Sequence, residues 1–346
     1  MTKGDYQLLQ QSEVESLSKR VDFSLISGKS ILITGASGMV GSFTTEAIYR
    51  CCEFSGYSIP NLTLLVRNMN SSNLAGFNEI PEIDVQECDL QAWSSSENFD
   101  FLIHAASPAS PTKYGNTREI FDSNLGFLER LNNSGLPTRS LLISSGEVYG
   151  SNAPVPVPES FVNTNPFSGP RADYPLAKLA AEEFLMSHLS QGKTEAVVAR
   201  LFHSFGPGMK VDDGRSFADF LWAASRGESI SLRSTGEDIR TFLYLEDATA
   251  AILSVLLIGD NGNTYNIGST VQLSIKEFAN LVGDLSGVEV KQHHQSLQDN
   301  YIHSPNPAVV PDTKKLQNIG WRMQVALDEG INRTLAWAGK HAKHSL

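Results

Sequence analysis

Tyr174 and Lys178 stand four residues apart in Tyr174-Pro175-Leu176-Ala177-Lys178. On a helix that spacing puts both side chains on one face, one turn apart. A lysine ammonium beside a phenol favours the phenolate and draws its pKa down from about 10 toward neutrality. Such a tyrosine can take a proton from a hydroxyl, or return it, while a hydride leaves or rejoins the same carbon. Taken alone, the pair reads equally well as an exposed helical pair. Its company is Ser144-Ser145-Gly146-Glu147-Val148-Tyr149-Gly150, which follows the apolar run Arg139–Ser145. That run has the character of a buried parallel strand, and ligands of open parallel sheets bind at the carboxyl ends of strands. Ser145 can share the reacting hydroxyl with Tyr174. Glu147 offers a carboxylate for positioning or acid–base work, its plainer reading being a solvated loop acid.

A second group lies earlier, in Ser30–Ser42, where Gly35, Gly38 and Gly41 follow G-x-x-G-x-x-G spacing. Ser30–Thr34 is a short apolar run, and an apolar-periodic segment continues to about Tyr49, so the pattern is strand, tight turn, helix. A strand that reverses straight into a helix needs a residue tolerant of positive φ. A phosphate reaches the backbone N–H groups of the turn only where no Cβ intervenes, and the helix N-terminus adds unpaired donors and positive dipole. A glycine pattern by itself is weak and fits an ordinary βα turn. Its place between strand and helix makes it a candidate nucleotide site.

The elements that must position these residues come from a chain of 346 residues, long enough for a substantial core and two lobes. Hydrophobic residues make up 41% and charged residues 19%, as in soluble globular proteins. The net charge of −11 argues against non-specific nucleic-acid binding but not against a phosphorylated substrate, for which a few local arginines suffice. Cys51, Cys52 and Cys88 form no disulfide framework or metal motif and read as reduced thiols of a cytoplasmic protein. No apolar run reaches the length of a membrane span, and the N-terminus lacks a secretory pattern.

Along the chain, Leu8, Leu9, Val14 and Leu17 predict a short amphipathic helix within residues 1–28, packed on the body or on a partner subunit, with disorder as the alternative. Strands are expected at Asn61–Arg67, Val85–Leu90, Phe99–Ala105, Arg139–Ser145 and Glu195–Leu201, a loop at Cys52–Pro60, and helices at 113–133 and 173–190. Alternating strands and helices imply a doubly wound parallel sheet covered on both faces. After Phe205 the elements shorten: a helix at 216–226, strands at Ser229–Leu232, Arg240–Tyr244 and Tyr265–Gly268, and a helix at 274–286. The expected organisation is a Rossmann-type α/β domain over 29–205, with segments near 240–268 returning to it, and a smaller C-terminal substrate-binding lobe over 206–340.

Taken in order, these motifs resemble the extended short-chain dehydrogenases that modify nucleotide sugars. The resemblance runs over roughly residues 29–330 and rests on TGASGMVG (34–41), Asp89-Leu90, HAASPASP (104–111), Asn124, SSGEVYG (144–150), Gly169-Pro170-Arg171, YPLAK (174–178), RLFHSFGP (200–207) and Arg240-Thr241-Phe242-Leu243-Tyr244. Within the family the chain looks most like the UDP-glucuronate decarboxylases. The resemblance implies that Gly35, Gly38 and Gly41 cradle a dinucleotide pyrophosphate, with Ser37, Met39 and Val40 on the same cofactor, and that Asp89 and Leu90 flank its adenine. Ala105, Ala106, Ser107 and Asn124 fall to the cofactor as well, and the turn at Ser107-Pro108 to nicotinamide and sugar. Tyr174 is the base, Lys178 holds it near the nicotinamide ribose, Ser145 shares the substrate hydroxyl, and Glu147 orients the sugar near C5 and C6. Arg171, His203, Arg215 and Arg240 fall to the substrate, the arginines suiting phosphate through their bidentate fork. Members often dimerise through the Tyr-x-x-x-Lys helix and the helix before the fifth strand, which implies a homodimer.

Departures from the family pattern bear on the reaction. Gly146 stands where dehydratases carry an acid and decarboxylases usually serine, which disfavours 4,6-dehydration. His203 replaces a usual Asn, and Val309-Val310-Pro311-Asp312 replaces a basic stretch. NAD-preferring members end the second strand with Asp; here Val66-Arg67 stands there, so NAD is expected with NADP left open by Arg67. The lead expectation is oxidation at sugar C4 and action through a 4-keto intermediate, most like UDP-glucuronate decarboxylation. A 4-epimerase or 4-ketoreductase is the alternative, and a non-catalytic sugar-nucleotide binder is disfavoured by the presence of Ser145, Tyr174 and Lys178 together.

Overall fold

The computed structural model describes residues 7–95, 97–108, 116–169, 171–192, 194–211, 213–292 and 306–341. Its frame is a seven-stranded sheet formed by β1 (Ser30–Thr34), β2 (Asn61–Val66), β3 (Ile83–Glu87), β4 (Phe101–His104), β5 (Arg139–Ser145), β6 (Glu195–Leu201) and, much later in the chain, β11 (Thr264–Ile267). The order is β11-β6-β5-β4-β1-β2-β3, with each neighbouring pair parallel. β1 and β4 sit at the centre, where the strand order reverses, and both of their carboxyl ends open onto one crevice.

The first helices are α1 (Gln11–Arg20), α2 (Met39–Ser55), α3 (Thr117–Phe121), α4 (Phe127–Ser134) and α5 (Asp173–Ser190). The predicted helix over 113–133 is broken. Residues 113–115 lie outside the described residues, and Asp122–Gly126 form a π-turn between α3 and α4. The predicted loop at Cys52–Pro60 begins as the last turn of α2, because Cys51 and Cys52 are buried and the helix ends only at Gly56, whose φ of 73° suits a left-handed cap. The third strand lies earlier than Val85–Leu90, since Ile83 and Val85 point inward and pair opposite Leu62 and Leu64.

Beyond β6 come β7 (Ser204–Phe205), α6 (Ser216–Ser225), β8 (Ile230–Leu232), β9 (Ile239–Thr241), β10 (Leu243–Tyr244), α7 (Leu245–Ile258), β12 (Gln272–Ser274), α8 (Ile275–Ser286), β13 (Val290–Gln292), α9 (Lys314–Asn318) and α10 (Leu327–His341). The single strand expected at Arg240–Tyr244 is two: β9 pairs antiparallel with β12, and β10 parallel with β7.

The amphipathic helix expected within 1–28 packs on the body. Leu8, Leu9, Val14 and Leu17 are buried. The Glu46 carboxylate on α2 accepts the Leu8 and Leu9 N–H groups at 3.0 and 3.3 Å. Glu13, fully buried, accepts the Tyr244 hydroxyl at 2.7 Å and pairs with Arg333 at 3.3 Å. Arg333 and Arg20 both hold Glu246, at 2.8 and 3.1 Å. Among the described residues no helix is long and apolar enough to cross a membrane.

Candidate active site

At the carboxyl ends of β1, β4 and β5 lies a cleft of about 1280 Å³ that continues under α6, β8 and β9. Sites for one small molecule usually measure about 300–1,000 Å³, so this cleft is sized for two extended ligands. Its floor is the turn from β1 to α2. Gly35 has φ 68°, and a Cβ there would lie 2.7 Å from the Ala106 backbone; one at Gly41 would lie 2.4 Å from the Gly35 carbonyl oxygen. Side chains at these two positions would push the strand and helix apart. Gly38 is the N-cap of α2 and makes no side-chain cap, which leaves the first-turn N–H groups to a ligand at the cleft floor. These are the features an NAD pyrophosphate requires, and the residues fit that cofactor.

Ser37, Met39, Val40, Arg67, Asp89, Leu90, Ala105, Ala106, Ser107 and Pro108 line the same part of the cleft. Asn124 does not. It is fully buried on the π-turn, and its Nδ2 donates to Ser107 Oγ at 3.0 Å, so it fixes the wall from behind. The Asn124 carbonyl meets His104 Nε2 at 3.0 Å, and His104 Nδ1 meets Thr34 Oγ1 at 2.6 Å. Burial holds that imidazole near pKa 3, hence neutral. Residues 109–111 of the motif that begins at His104, and Pro170 of Gly169-Pro170-Arg171, lie outside the described residues.

Ser145 ends β5, and its hydroxyl accepts the Glu147 N–H at 3.1 Å and interacts with the Tyr174 phenol. Lys178, one turn along α5, is 2% exposed and donates to the Ile143 carbonyl at 2.7 Å, with Nζ 5.9 Å from the centre of the Tyr174 ring. The geometry matches the helical spacing, but the electrostatics reverse the expected shift. Burial, and then the Glu147 charge, push Tyr174 up to about 12. Burial also brings Lys178 down to about 7 against the pull of Glu182, so its charge is weakly held and cannot by itself favour phenolate. Glu182 is committed to other partners: it accepts Ser144 Oγ, and both its oxygens face Arg200, at 3.1 and 2.6 Å.

Glu147 is not a free loop acid, since Arg171 Nη2 donates to it at 2.9 Å. Arg240 pairs with Asp238 at 3.1 Å, and Arg215 with Asp213. His203 lies among Arg240, Arg215 and Arg171; burial and these charges hold it near pKa 3, and its Nδ1 is buried with no hydrogen-bond partner. An imidazole that stays neutral among three arginines can accept from or donate to a ligand without adding charge. Residue 146 faces the Phe202 ring. A Cβ there would stand 2.9 Å from two ring carbons, so glycine is the residue the packing permits.

The sequence reading missed Phe202, Asn306 and Val309 as part of the wall, Lys210, Asp219 and Arg233 at the far end, and Glu119 beside Arg67. Phe202 stands within the RLFHSFGP motif and Val309 in the stretch that replaces basic residues, but neither pattern assigns them to the wall. The others lie on elements brought in from a distance.

The NAD dependent epimerase/dehydratase family matches residues 31–268. UDP-glucuronic acid decarboxylase 1 of Xenopus tropicalis is 29% identical over 337 residues, covering 91% of this chain and 73% of that protein. UDP-glucuronic acid decarboxylase 5 of Arabidopsis thaliana is 30% identical over 310 residues, covering 87% and 86%. Among solved structures, UDP-glucose 4-epimerase of Thermotoga maritima with UDP-glucose superposes with a TM-score of 0.75 at 21% identity, over 90% of this chain and 99% of that one, a likeness of fold.

Proposed function

The chain belongs to the NAD-dependent epimerase/dehydratase family, and from that premise we propose that it oxidises C4 of a UDP-sugar and acts through the 4-keto sugar, with UDP-glucuronate decarboxylation as the reaction. The observation that carries this is that Tyr174, Ser145 and a buried Lys178 line one cleft together with the glycine turn.

NAD, when bound, accepts a hydride and gives one back, and its oxidised ring brings positive charge to this part of the cleft. Gly35, Gly38 and Gly41 would let its pyrophosphate reach the α2 N-terminus, and Asp89, Leu90 and Ser107 would bound the rest of its groove. Tyr174 Oη takes the proton of the C4 hydroxyl and later returns it, and Ser145 Oγ holds both oxygens in line. Lys178 Nζ, held by the Ile143 carbonyl one turn from Tyr174, keeps an ammonium or amine beside the ring. Arg215 and Arg240 exchange their carboxylate partners for the substrate's diphosphate, and His203 adds an uncharged contact. A C4 carbonyl makes a C6 carboxylate part of a β-keto acid, which loses carbon dioxide readily. Glu147, braced by Arg171, orients that end of the sugar.

A second reading, 4-epimerisation or 4-ketoreduction, is favoured by Phe202 filling the place of a side chain at 146 and by Val309 on the wall, which leave no hydroxyl at 146 and no cation at 309. Purified protein incubated with UDP-glucuronate and NAD separates the two. Loss of carbon dioxide by mass spectrometry supports decarboxylation; an unchanged mass with altered C4 stereochemistry by NMR, from this sugar or a neutral UDP-hexose, supports the second reading. No change in any UDP-sugar with NAD, nor in a UDP-4-keto sugar with NADH, overturns both. We also place the protein in the cytoplasm, in keeping with its three unpaired cysteines, as a homodimer joined through α5 and the α3–α4 segment; a monomer in gel filtration would remove that assembly.

A further inference from the structure

Resting on that reading of the cofactor groove, we propose that Glu119 is the residue that makes the site choose NAD over NADP. Arg67 follows β2 directly, the place at which Rossmann-type sites read the adenosine ribose: a carboxylate there accepts from a free 2′-hydroxyl, and an arginine takes up a 2′-phosphate. Read alone, Arg67 leaves NADP open. In the fold its guanidinium is already engaged, because Nη1 donates to Glu119 Oε1 in a close ion pair.

Glu119 is itself held in place. It lies on α3, whose N-cap Asn116 donates through Nδ2 to the other carboxylate oxygen, Oε2, at 2.9 Å. One oxygen therefore faces Arg67 and the other the cap. Both Arg67 and Glu119 line the cleft, together with Asp89. Glu87 closes the loop after β2 by accepting the Met69 N–H at 2.7 Å. Of the charged groups lining this end among the described residues, Arg67 is outnumbered by Glu119 and Asp89, so the rim carries a net negative charge.

That balance discriminates between the two cofactors. A ribose 2′-hydroxyl can donate to a carboxylate, and the site pairs it without loss. A 2′-phosphate dianion would have to displace Glu119 from Arg67 and then lie beside the displaced carboxylate and Asp89. As an isolated feature the pair contributes little, since Arg67 is 65% exposed and surface ion pairs are weak and screened by salt. Its consequence is the sign of the charge presented to a ligand. Glu119 thus supplies, from a different element, the acid that the end of β2 lacks.

The test is equilibrium binding of NADH and of NADPH to the full chain, by calorimetry or nicotinamide fluorescence, in the wild type, Glu119→Gln and Glu119→Ala. The wild type is expected to prefer NADH, and both variants to gain affinity for NADPH on the order of tenfold relative to NADH, with the gain shrinking as salt is raised. A wild type that binds NADPH as tightly as NADH overturns the proposal. So does a preference unchanged within about twofold in variants that still bind NADH, a step well below the tenfold of one full charge contact. Variants that lose both cofactors also overturn it, since the carboxylate would then be a structural group. A wild type that binds neither cofactor overturns the cofactor reading itself.

Discussion

Lys178→Met should make the cofactor-free protein more stable while abolishing its turnover. The wild-type ammonium is 2% exposed, and its pKa falls from 10.5 to about 7 through burial. At 1.36 kcal/mol per unit, that shift corresponds to a folding cost of about 5 kcal/mol at neutral pH, an upper figure. Losing the bond to the Ile143 carbonyl gives back about 1 kcal/mol, and methionine keeps most of the side-chain volume. The expected net gain is therefore roughly 3 kcal/mol or more at pH 7. The sign follows from linkage: the folded pKa is depressed, so above 10.5 the lysine is neutral in both states and costs nothing. As pH falls from 10.5 to about 7 the unfolded chain binds the extra proton and the cost grows to its full value. Denaturant midpoints of the wild type and the variant, measured without cofactor from neutral to alkaline pH, check both size and slope. The gap should narrow by up to about 1.4 kcal/mol per pH unit as pH rises. A variant less stable than wild type at neutral pH, or a gap that does not change with pH, would refute the reasoning.

Other perturbations follow from packing. Gly146→Ser, which restores the residue usual in decarboxylases, drives its Cβ to 2.9 Å from the Phe202 ring and should cost about 1–3 kcal/mol; a Phe202→Leu background should relieve most of that loss, read as melting temperatures of the four proteins. Leu17→Ala empties a fully buried position between α1 and the body and should cost about 2–5 kcal/mol; a loss under about 1 kcal/mol by denaturant titration would mean that α1 is not part of the folded core.

What could be read in the sequence was local. Gly35, Gly38 and Gly41 announce their turn because strand, glycines and helix are contiguous. Tyr174, Lys178 and Ser145 could be joined because helical spacing aligns two of them and the end of β5 supplies the third. The shift of Tyr174 runs opposite to expectation because it depends on burial and on Glu147, and burial also weakens the charge of Lys178, neither of which spacing alone shows. Gly146 stood out as a departure, but its cause is Phe202, 56 residues later. The partner of Arg67 is Glu119, 52 residues away on another element. α7 escaped notice because it is buried nearly all round and has no polar face to give a helical period. α1 is visible as an amphipathic pattern, but Arg333 and Glu246, which with Glu13 fix it to the body, lie more than 200 residues away in the chain.

The central claim is that Tyr174 moves the C4 proton while the cofactor is reduced. Its most direct test mixes NAD-loaded enzyme with excess of the UDP-sugar it converts, in wild type and Tyr174→Phe, and follows the reduced-nicotinamide absorbance alongside binding of the sugar nucleotide. Wild type should show the signal rise and decay within turnover. The Phe variant should bind the sugar nucleotide with near-wild-type affinity but produce the signal at least about a hundredfold more slowly. A Phe variant that reduces the cofactor as fast as wild type would contradict the account.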